Sequence, residues 1–344
     1  MNAPPLVEVR ALTKYFFPRR AFLGSRQRKV RALENVDLTI GRQETLGVVG
    51  ESGCGKTTLG RAILGLIRPT AGQTLFEGVD LAALNRREMR RYRRDMQMVF
   101  QSPYASFDPR FSVLSSLAEP LRAHSTLRGE ALARRARELL EQVGMPGEIL
   151  YRYPHEFSGG QLQRIAVARA LALNPKFIVL DEPTSALDVS VQAQIINLLQ
   201  SLQRDLKLTY LFITHHLNLV EHISDRVAVM YLGRVVELSA TEAIFAGEAY
   251  HPYTQALLAS APSLDPEFRR DRVVLKGGVP DPASPPAGCS FHPRCPDAEH
   301  LCSWAEPAFV DVGGGHMVAC HRFKGPSDPS AGRRPEGGCS SHGL

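Results

Sequence analysis

The chain has 344 residues, 44% of them apolar and 22% charged, which excludes a mainly disordered chain and leaves material for a sizeable core. Its formal charge of +6, from 41 Lys and Arg against 35 Asp and Glu, is too mild a surplus for a nucleic-acid-binding arm. No run of 18 apolar residues is present, so no membrane-spanning helix is expected, and Met1–Leu12 lacks the apolar stretch of an export signal. Six cysteines without such a signal point to a reducing compartment, and four of the six fall between Cys289 and Cys320.

In chain order, residues 6–10 alternate as a strand does. Residues 19–31 carry six Arg or Lys in thirteen positions with Gly24 and Ser25, and are expected as an exposed loop. Glu44–Val49 is a short apolar strand running into a Gly-rich turn, followed by an apolar helix that stops before Pro69. Residues 86–94 hold six Arg in nine, expected as a solvated helix face, with contact to anionic headgroups or an acidic partner as the sharper alternative. Residues 128–143 read as a helix with Leu132, Leu139, Leu140 and Val143 inward. Gln161–Leu173 is a second helix, spaced by Leu162, Ile165 and Ala166. Phe177–Leu180 and Tyr210–Thr214 are buried strands, and Val227–Tyr231 with Arg234–Glu237 flank Leu232-Gly233 as a hairpin. Strands alternating with helices predict an α/β domain with a largely parallel sheet. Past residue 260 the character changes: Pro280–Pro286 holds four prolines in seven, the cysteines follow, and residues 323–344 are expected as a disordered tail.

Gly50-Glu51-Ser52-Gly53-Cys54-Gly55-Lys56-Thr57, between a strand and a helix, fits the P-loop pattern, with Thr58 continuing it. Its glycines let backbone N–H groups turn inward around a phosphate, and the helix that follows offers its positive end to the anion. Lys56 is expected at the β- and γ-phosphates of ATP, and Thr57 at Mg²⁺. The strand Phe177–Leu180 delivers Asp181 as a second metal residue and Glu182 as the group that polarises the attacking water. Ser158-Gly159-Gly160-Gln161 forms a second anion-binding nest at a helix start, over a hundred residues from the first.

With these three motifs the chain resembles the ATP-binding cassette (ABC) family, whose signature is Leu-Ser-Gly-Gly-Gln and in which Phe157 here replaces the Leu. The resemblance implies a P-loop NTPase cassette with a RecA-like core, an antiparallel β-subdomain and a helical subdomain. It implies that Ser158–Gln161 face the ATP of a second ATPase subunit, either a sister chain or a copy. Tyr15 matches the aromatic that stacks on adenine. Gln101 matches the glutamine that reaches Mg²⁺ and senses the γ-phosphate. Ser185-Ala186-Leu187-Asp188 matches the loop that crosses to the partner, and His215 matches the switch histidine. His216 stands where the family usually has Asp.

One cassette, residues 6–256, is expected, with no membrane span of its own. His251-Pro252-Tyr253-Thr254, Phe291-His292-Pro293-Arg294-Cys295-Pro296 and Phe100–Arg110 resemble the ATP-binding subunits of oligopeptide/dipeptide permeases. That resemblance implies a peripheral subunit on the cytoplasmic face of the membrane. It would power peptide import through two permease subunits, served by an extracytoplasmic binding protein. Nickel and glutathione stay open as cargo, and a non-transport ATPase acting on nucleic acid is the rival, supported only by the two basic runs. Residues 257–322 are expected as a small C-terminal module. Its Cys289, Cys295, Cys302 and Cys320, with five, six and seventeen residues between them, are too openly spaced for a usual zinc knuckle. The resemblance implies a [4Fe–4S] cluster on these four. Zinc and free thiols remain alternatives, and His292 and His321 are near enough in sequence to substitute as ligands. Cys54 and Cys339 are not expected as ligands.

Overall fold

The computed structural model describes residues 4–17, 29–260, 275 and 277–323. Two sheets organise the chain. A four-stranded antiparallel sheet has the order β2 (Val30–Ile40), β1 (Val7–Phe16), β4 (Ala71–Phe76), β5 (Val79–Asp80). An eight-stranded mixed sheet is built on a parallel core in the order β9 (Arg226–Tyr231), β3 (Thr45–Val49), β8 (Thr209–Ile213), β7 (Phe177–Asp181), β6 (Met96–Val99). β10 (Arg234–Ala240) adds to β9 antiparallel. Beyond it lie two short strands from the C-terminal residues, β12 (Met317–Val318) and β11 (Val310–Asp311).

The parallel strands are apolar throughout because both faces are covered. Their side chains alternate between two cores. Val48, Val179, Leu211, Ile213 and Ala228 face the four-stranded sheet and α1 (Lys56–Ile63). Ile178, Leu180, Tyr210, Phe212 and Val229 face the helical side. That side carries α4 (Val113–His124), α5 (Gly129–Gln142), α6 (Gly159–Leu171), α7 (Val189–Leu206) and α8 (Leu217–Ile223). The remaining helices are α2 (Arg86–Asp95), the single turns α3 (Pro103–Ser106) and α9 (Thr241–Ala243), and α10 (Pro252–Ser260).

α2 buries none of its residues and starts with a reciprocal Asn85–Glu88 capping box, so its arginines form a solvated face. α6 begins at Gly159, two residues before the periodicity starts, because Ser158 caps it. The expected loop over 19–31 ends earlier than predicted: Val30 and Arg31 are in β2, paired with Phe16 and Tyr15, so their backbone is spent on the sheet. Residues 19–28 of that stretch, and residues 324–344 of the expected tail with Cys339, lie outside the described residues. No helix of the described residues is long and apolar enough to cross a membrane.

Candidate nucleotide site

The P-loop lies between β3 and α1, on the carboxyl edge of the parallel strands, where open α/β sheets place their ligands. Two of its glycines are there for close backbone approach. A Cβ on Gly50 (φ 153°) would stand 2.2 Å from the Met230 carbonyl oxygen, and one on Gly55 (φ 109°) 2.3 Å from that of Ala32. Ser52 and Gly53 form the exposed crown, and Thr58 is half-buried in the first turn of α1. Cys54 is buried; its carbonyl accepts from Gly233 N–H at 2.8 Å, which ties the loop to the β9–β10 turn. Burial pushes its thiol up, so it remains protonated and structural. Lys56 Nζ donates to the Gly50 carbonyl at 2.7 Å and to the Glu51 carbonyl at 3.1 Å, holding the ammonium at the lip of the loop.

Thr57 Oγ1 donates to Asp181 Oδ1 at 2.9 Å. A hydroxyl and a carboxylate in contact at the end of a buried strand are the hard oxygen donors that Mg²⁺ takes alongside phosphate oxygens and water. Burial pushes the Asp181 carboxyl up from its ordinary value, against the Thr57 hydrogen bond and the nearby Arg61 and Lys56 charges.

Glu182 follows with φ 47°, a left-handed conformation that non-glycine residues rarely hold. Its N–H donates to the Ile213 carbonyl at 2.8 Å, which anchors the turn to β8. Its carboxylate is gripped on both sides. Gln101 Nε2, just past β6, donates to Oε2 at 2.8 Å, and His215 Nδ1, just past β8, lies 3.1 Å from Oε1. Three strand ends thus converge on one carboxylate. Of the two adjacent histidines, His215 is the one on Glu182. His216 uses its N–H on Thr214 Oγ1 at 3.1 Å and lays its ring 4.1 Å from that of His215. Burial and the neighbouring His215 lower the His216 pKa.

The other predicted residues sit as follows. Tyr15 pairs across the sheet with Arg31, one residue from the Ala32 carbonyl that backs Gly55. Its Oη donates to Glu34 at 2.6 Å, and Lys29 Nζ stands 4.1 Å from the ring centroid. Ser158 and Gln161 bond each other in a capping box, Gln161 N–H to Ser158 Oγ at 3.4 Å and Ser158 N–H to Gln161 Oε1 at 3.0 Å. Gly160 lets α6 approach α7, since a Cβ there would stand 2.5 Å from Val191 Cγ1, and a Cβ on Gly159 would stand 3.2 Å from Leu187 in the loop before α7. Asp188 caps α7, accepting from Val191 N–H at 2.9 Å and from Ser190 Oγ at 2.7 Å. Among the described residues no hydrogen bond joins Ser158–Gln161 or Asp188 to the P-loop of the same chain.

Glu51 has partners that no motif indicated. Its N–H donates to Tyr253 Oη at 2.9 Å, and Arg294 grips its carboxylate through Nη1 at 2.7 Å and Nη2 at 3.0 Å. An Arg inside a Pro- and Cys-rich segment carries no sign of its partner 243 positions away.

The four C-terminal cysteines line one cavity of about 20 Å³ together with His292 and His321. Burial raises all three of the thiols that shift, Cys295 and Cys320 to about 11, so they are protonated at neutral pH. His292 Nδ1 and His321 Nε2 are occupied by the carbonyls of Cys289 and Ala305, both at 2.9 Å. The sulfurs supply a Cys₄ donor set, but a cavity of this size has room for about one water. Among the described residues no group of three or more His, Cys, Asp or Glu side chains is placed to hold a metal ion. The iron–sulfur expectation therefore has four thiols lining one small cavity and no formed site among the described residues.

Residues 33–185 match the ABC transporter family, and residues 236–302 match the oligopeptide/dipeptide transporter C-terminal region. A putative peptide import ATP-binding protein of Brucella ovis is 51% identical over 322 residues, covering 94% of this chain and 99% of that one. The oligopeptide transport ATP-binding protein AppF of Bacillus subtilis is 47% identical over 325 residues, covering 94% of this chain and 98% of its own. Among solved structures, the dimeric post-hydrolysis state of the ATP-binding cassette MJ0796 bound to ADP and Pi superposes with a TM-score of 0.60. It is 31% identical and covers 68% of this chain and 98% of that one. CbiO1 of Clostridium perfringens, part of the transporter complex cbiONQ, has a TM-score of 0.61 at 26% identity, covering 72% and 92%. The chain belongs to the ABC transporter family, as an ATP-binding protein of the group that carries the oligopeptide/dipeptide transporter C-terminal region.

Proposed function

We propose that this chain is the ATP-hydrolysing subunit that powers import of di- and oligopeptides through two separate membrane permease subunits. Its place is then the cytoplasmic face of the membrane, with an extracytoplasmic binding protein delivering the cargo. The names of the similar proteins support peptide cargo. The observation that carries the chemistry is Glu182, held between Gln101 and His215 one residue after Asp181.

The steps follow from the side chains. The P-loop N–H groups and the start of α1 bind the triphosphate, and Lys56 exchanges its two carbonyls for phosphate oxygens. Mg²⁺, when bound at Thr57 and Asp181, neutralises charge on the phosphates. Glu182 orients the attacking water and accepts its proton. Gln101 and His215 fix the carboxylate for that step, and by the family resemblance each is also assigned to the γ-phosphate. Tyr15 is assigned to the adenine. Ser158, Gly159, Gly160, Gln161 and Asp188, which make no hydrogen bond to their own P-loop among the described residues, are assigned to the nucleotide of a second cassette. Residues 6–256 form the cassette and 257–322 the C-terminal module, with a tail after it. The four cysteines are assigned to a [4Fe–4S] cluster, which requires their cavity to open. Iron and acid-labile sulfide after anaerobic purification check this, and a full complement of free thiols with no iron overturns it.

The test of the reaction is Glu182→Gln, which keeps the size and one of the two acceptor oxygens but cannot take a proton. Steady-state hydrolysis is expected to fall by roughly 10²–10⁴-fold while ATP binding persists. Single-turnover hydrolysis at the native rate in that variant would remove Glu182 from the role.

A further inference from the structure

The segment Phe291–Cys295 turns sharply, with Arg294 N–H donating to the Phe291 carbonyl at 2.9 Å. Phe291 is fully buried and anchors the turn, its ring 5.3 Å from Tyr231 and 5.4 Å from Tyr253. The turn sends Arg294, only 7% exposed at its side chain, onto the P-loop, where it forms the two-pronged pair with Glu51. Such a fork fixes position as well as charge. Glu51 is thereby held at every polar group: N–H by Tyr253, carbonyl by Lys56, carboxylate by Arg294. Nothing in phosphate binding calls for an acid in this loop. A free carboxylate there would repel a triphosphate in a partly buried site, where charges are poorly screened.

We infer that Arg294 is a positioning residue for ATP: the C-terminal segment reaches back to hold and neutralise Glu51, so that the P-loop keeps its phosphate-binding shape. This rests on Gly50–Thr57 being the ATP-holding loop. The role belongs to ground-state binding, because Arg294 touches none of Glu182, Gln101 or His215. It therefore separates affinity from turnover.

The experiment is titration of the full-length chain with Mg²⁺ and the slowly hydrolysed analogue ATPγS, with parallel steady-state ATPase assays. Arg294→Gln is expected to weaken binding roughly tenfold and raise KM alike, with kcat changed less than about threefold. Adding Glu51→Gln removes the exposed charge and is expected to recover several-fold in affinity over Arg294→Gln alone. A merely structural Arg294 would leave the double variant as weak as the single. Should Arg294→Gln not fold, Arg294→Lys keeps the charge without the fork and is expected to fall between; a Kd equal to the native value there overturns the inference. Lys56→Ala is the separate control. Loss of binding in that variant with native affinity in Arg294→Gln sinks the role of Arg294 alone, whereas native binding in Lys56→Ala sinks the assignment of the loop.

Discussion

Asp181 and Glu182 are neighbours with opposite treatments. Glu182 is given two hydrogen-bond partners and a strained backbone; Asp181 is buried with one hydroxyl and held above its ordinary pKa chiefly by burial. A carboxyl raised on folding leaves the fold most stable below its unfolded value near 3.8 and costs stability as pH rises through the folded value. The site thus carries a standing charge penalty that a cation relieves. Asp181→Asn keeps an acceptor for Thr57 and drops the penalty. We expect it to raise the unfolding free energy at pH 7 by about 1 kcal/mol while abolishing Mg²⁺-dependent hydrolysis. The stability gain should shrink as the pH is lowered. Urea unfolding at two pH values measures this, and a variant less stable than the native chain at pH 7 would show that Asp181 is compensated within the fold.

At the scale of elements, the start of α6 serves two ends. Its Ser and two Gly are assigned to an anion, and Gly160 also lets α7 pack against it, since a Cβ would reach 2.5 Å from the stiff side chain of Val191. Gly160→Ala is expected to destabilise the fold by about 1–3 kcal/mol through overpacking. Combining it with Val191→Ala should recover most of the lost melting temperature. A double variant no better than Gly160→Ala alone would place the cost in the backbone and not in the contact. Only the nest was legible in the sequence, because helix contact depends on how α6 and α7 cross. The same limit runs through the site. The P-loop, Asp181, Glu182 and the signature are contiguous strings whose spacing carries their chemistry. β2 and α4 went unread, because β2 follows a basic stretch that masks its start, and Pro120 breaks the pattern of α4 although Leu117, Ala118 and Leu121 beside it are buried. Gln101 and His215 needed the resemblance, since nothing local marks either one, and only the sheet order brings both to Glu182.

Across the whole molecule, the C-terminal residues share one core with the cassette. β12 extends the sheet from β10, Ala319 N–H donates to the Val236 carbonyl at 2.9 Å, and His316 Nε2 meets the fully buried Glu237 at 2.7 Å. Glu237 also accepts from the N–H groups of Tyr250 at 2.8 Å and His251 at 3.0 Å. His251 is the joint of this arrangement. Its Nδ1 accepts from Tyr253 N–H at 3.1 Å, so it must be unprotonated, and Tyr253 in turn holds Glu51 of the P-loop. Burial, outweighing the pull of Glu237, pushes the His251 pKa from 6.5 down to about 4. A base depressed on folding stabilises the fold above its unfolded value, and that contribution is lost as pH falls from 6.5 through about 4. In that window the unfolded chain binds the extra proton, so the loss attributable to His251 should approach 1.4 kcal/mol per pH unit and total roughly 3 kcal/mol. His251→Gln retains an acceptor for Tyr253 and does not titrate. Its urea midpoint is therefore expected to fall less steeply than the native one between pH 7 and pH 4.5, with the two curves converging at the acid end. Parallel curves would mean that acid acts elsewhere, and that the P-loop is not tied to the C-terminal residues through a neutral imidazole.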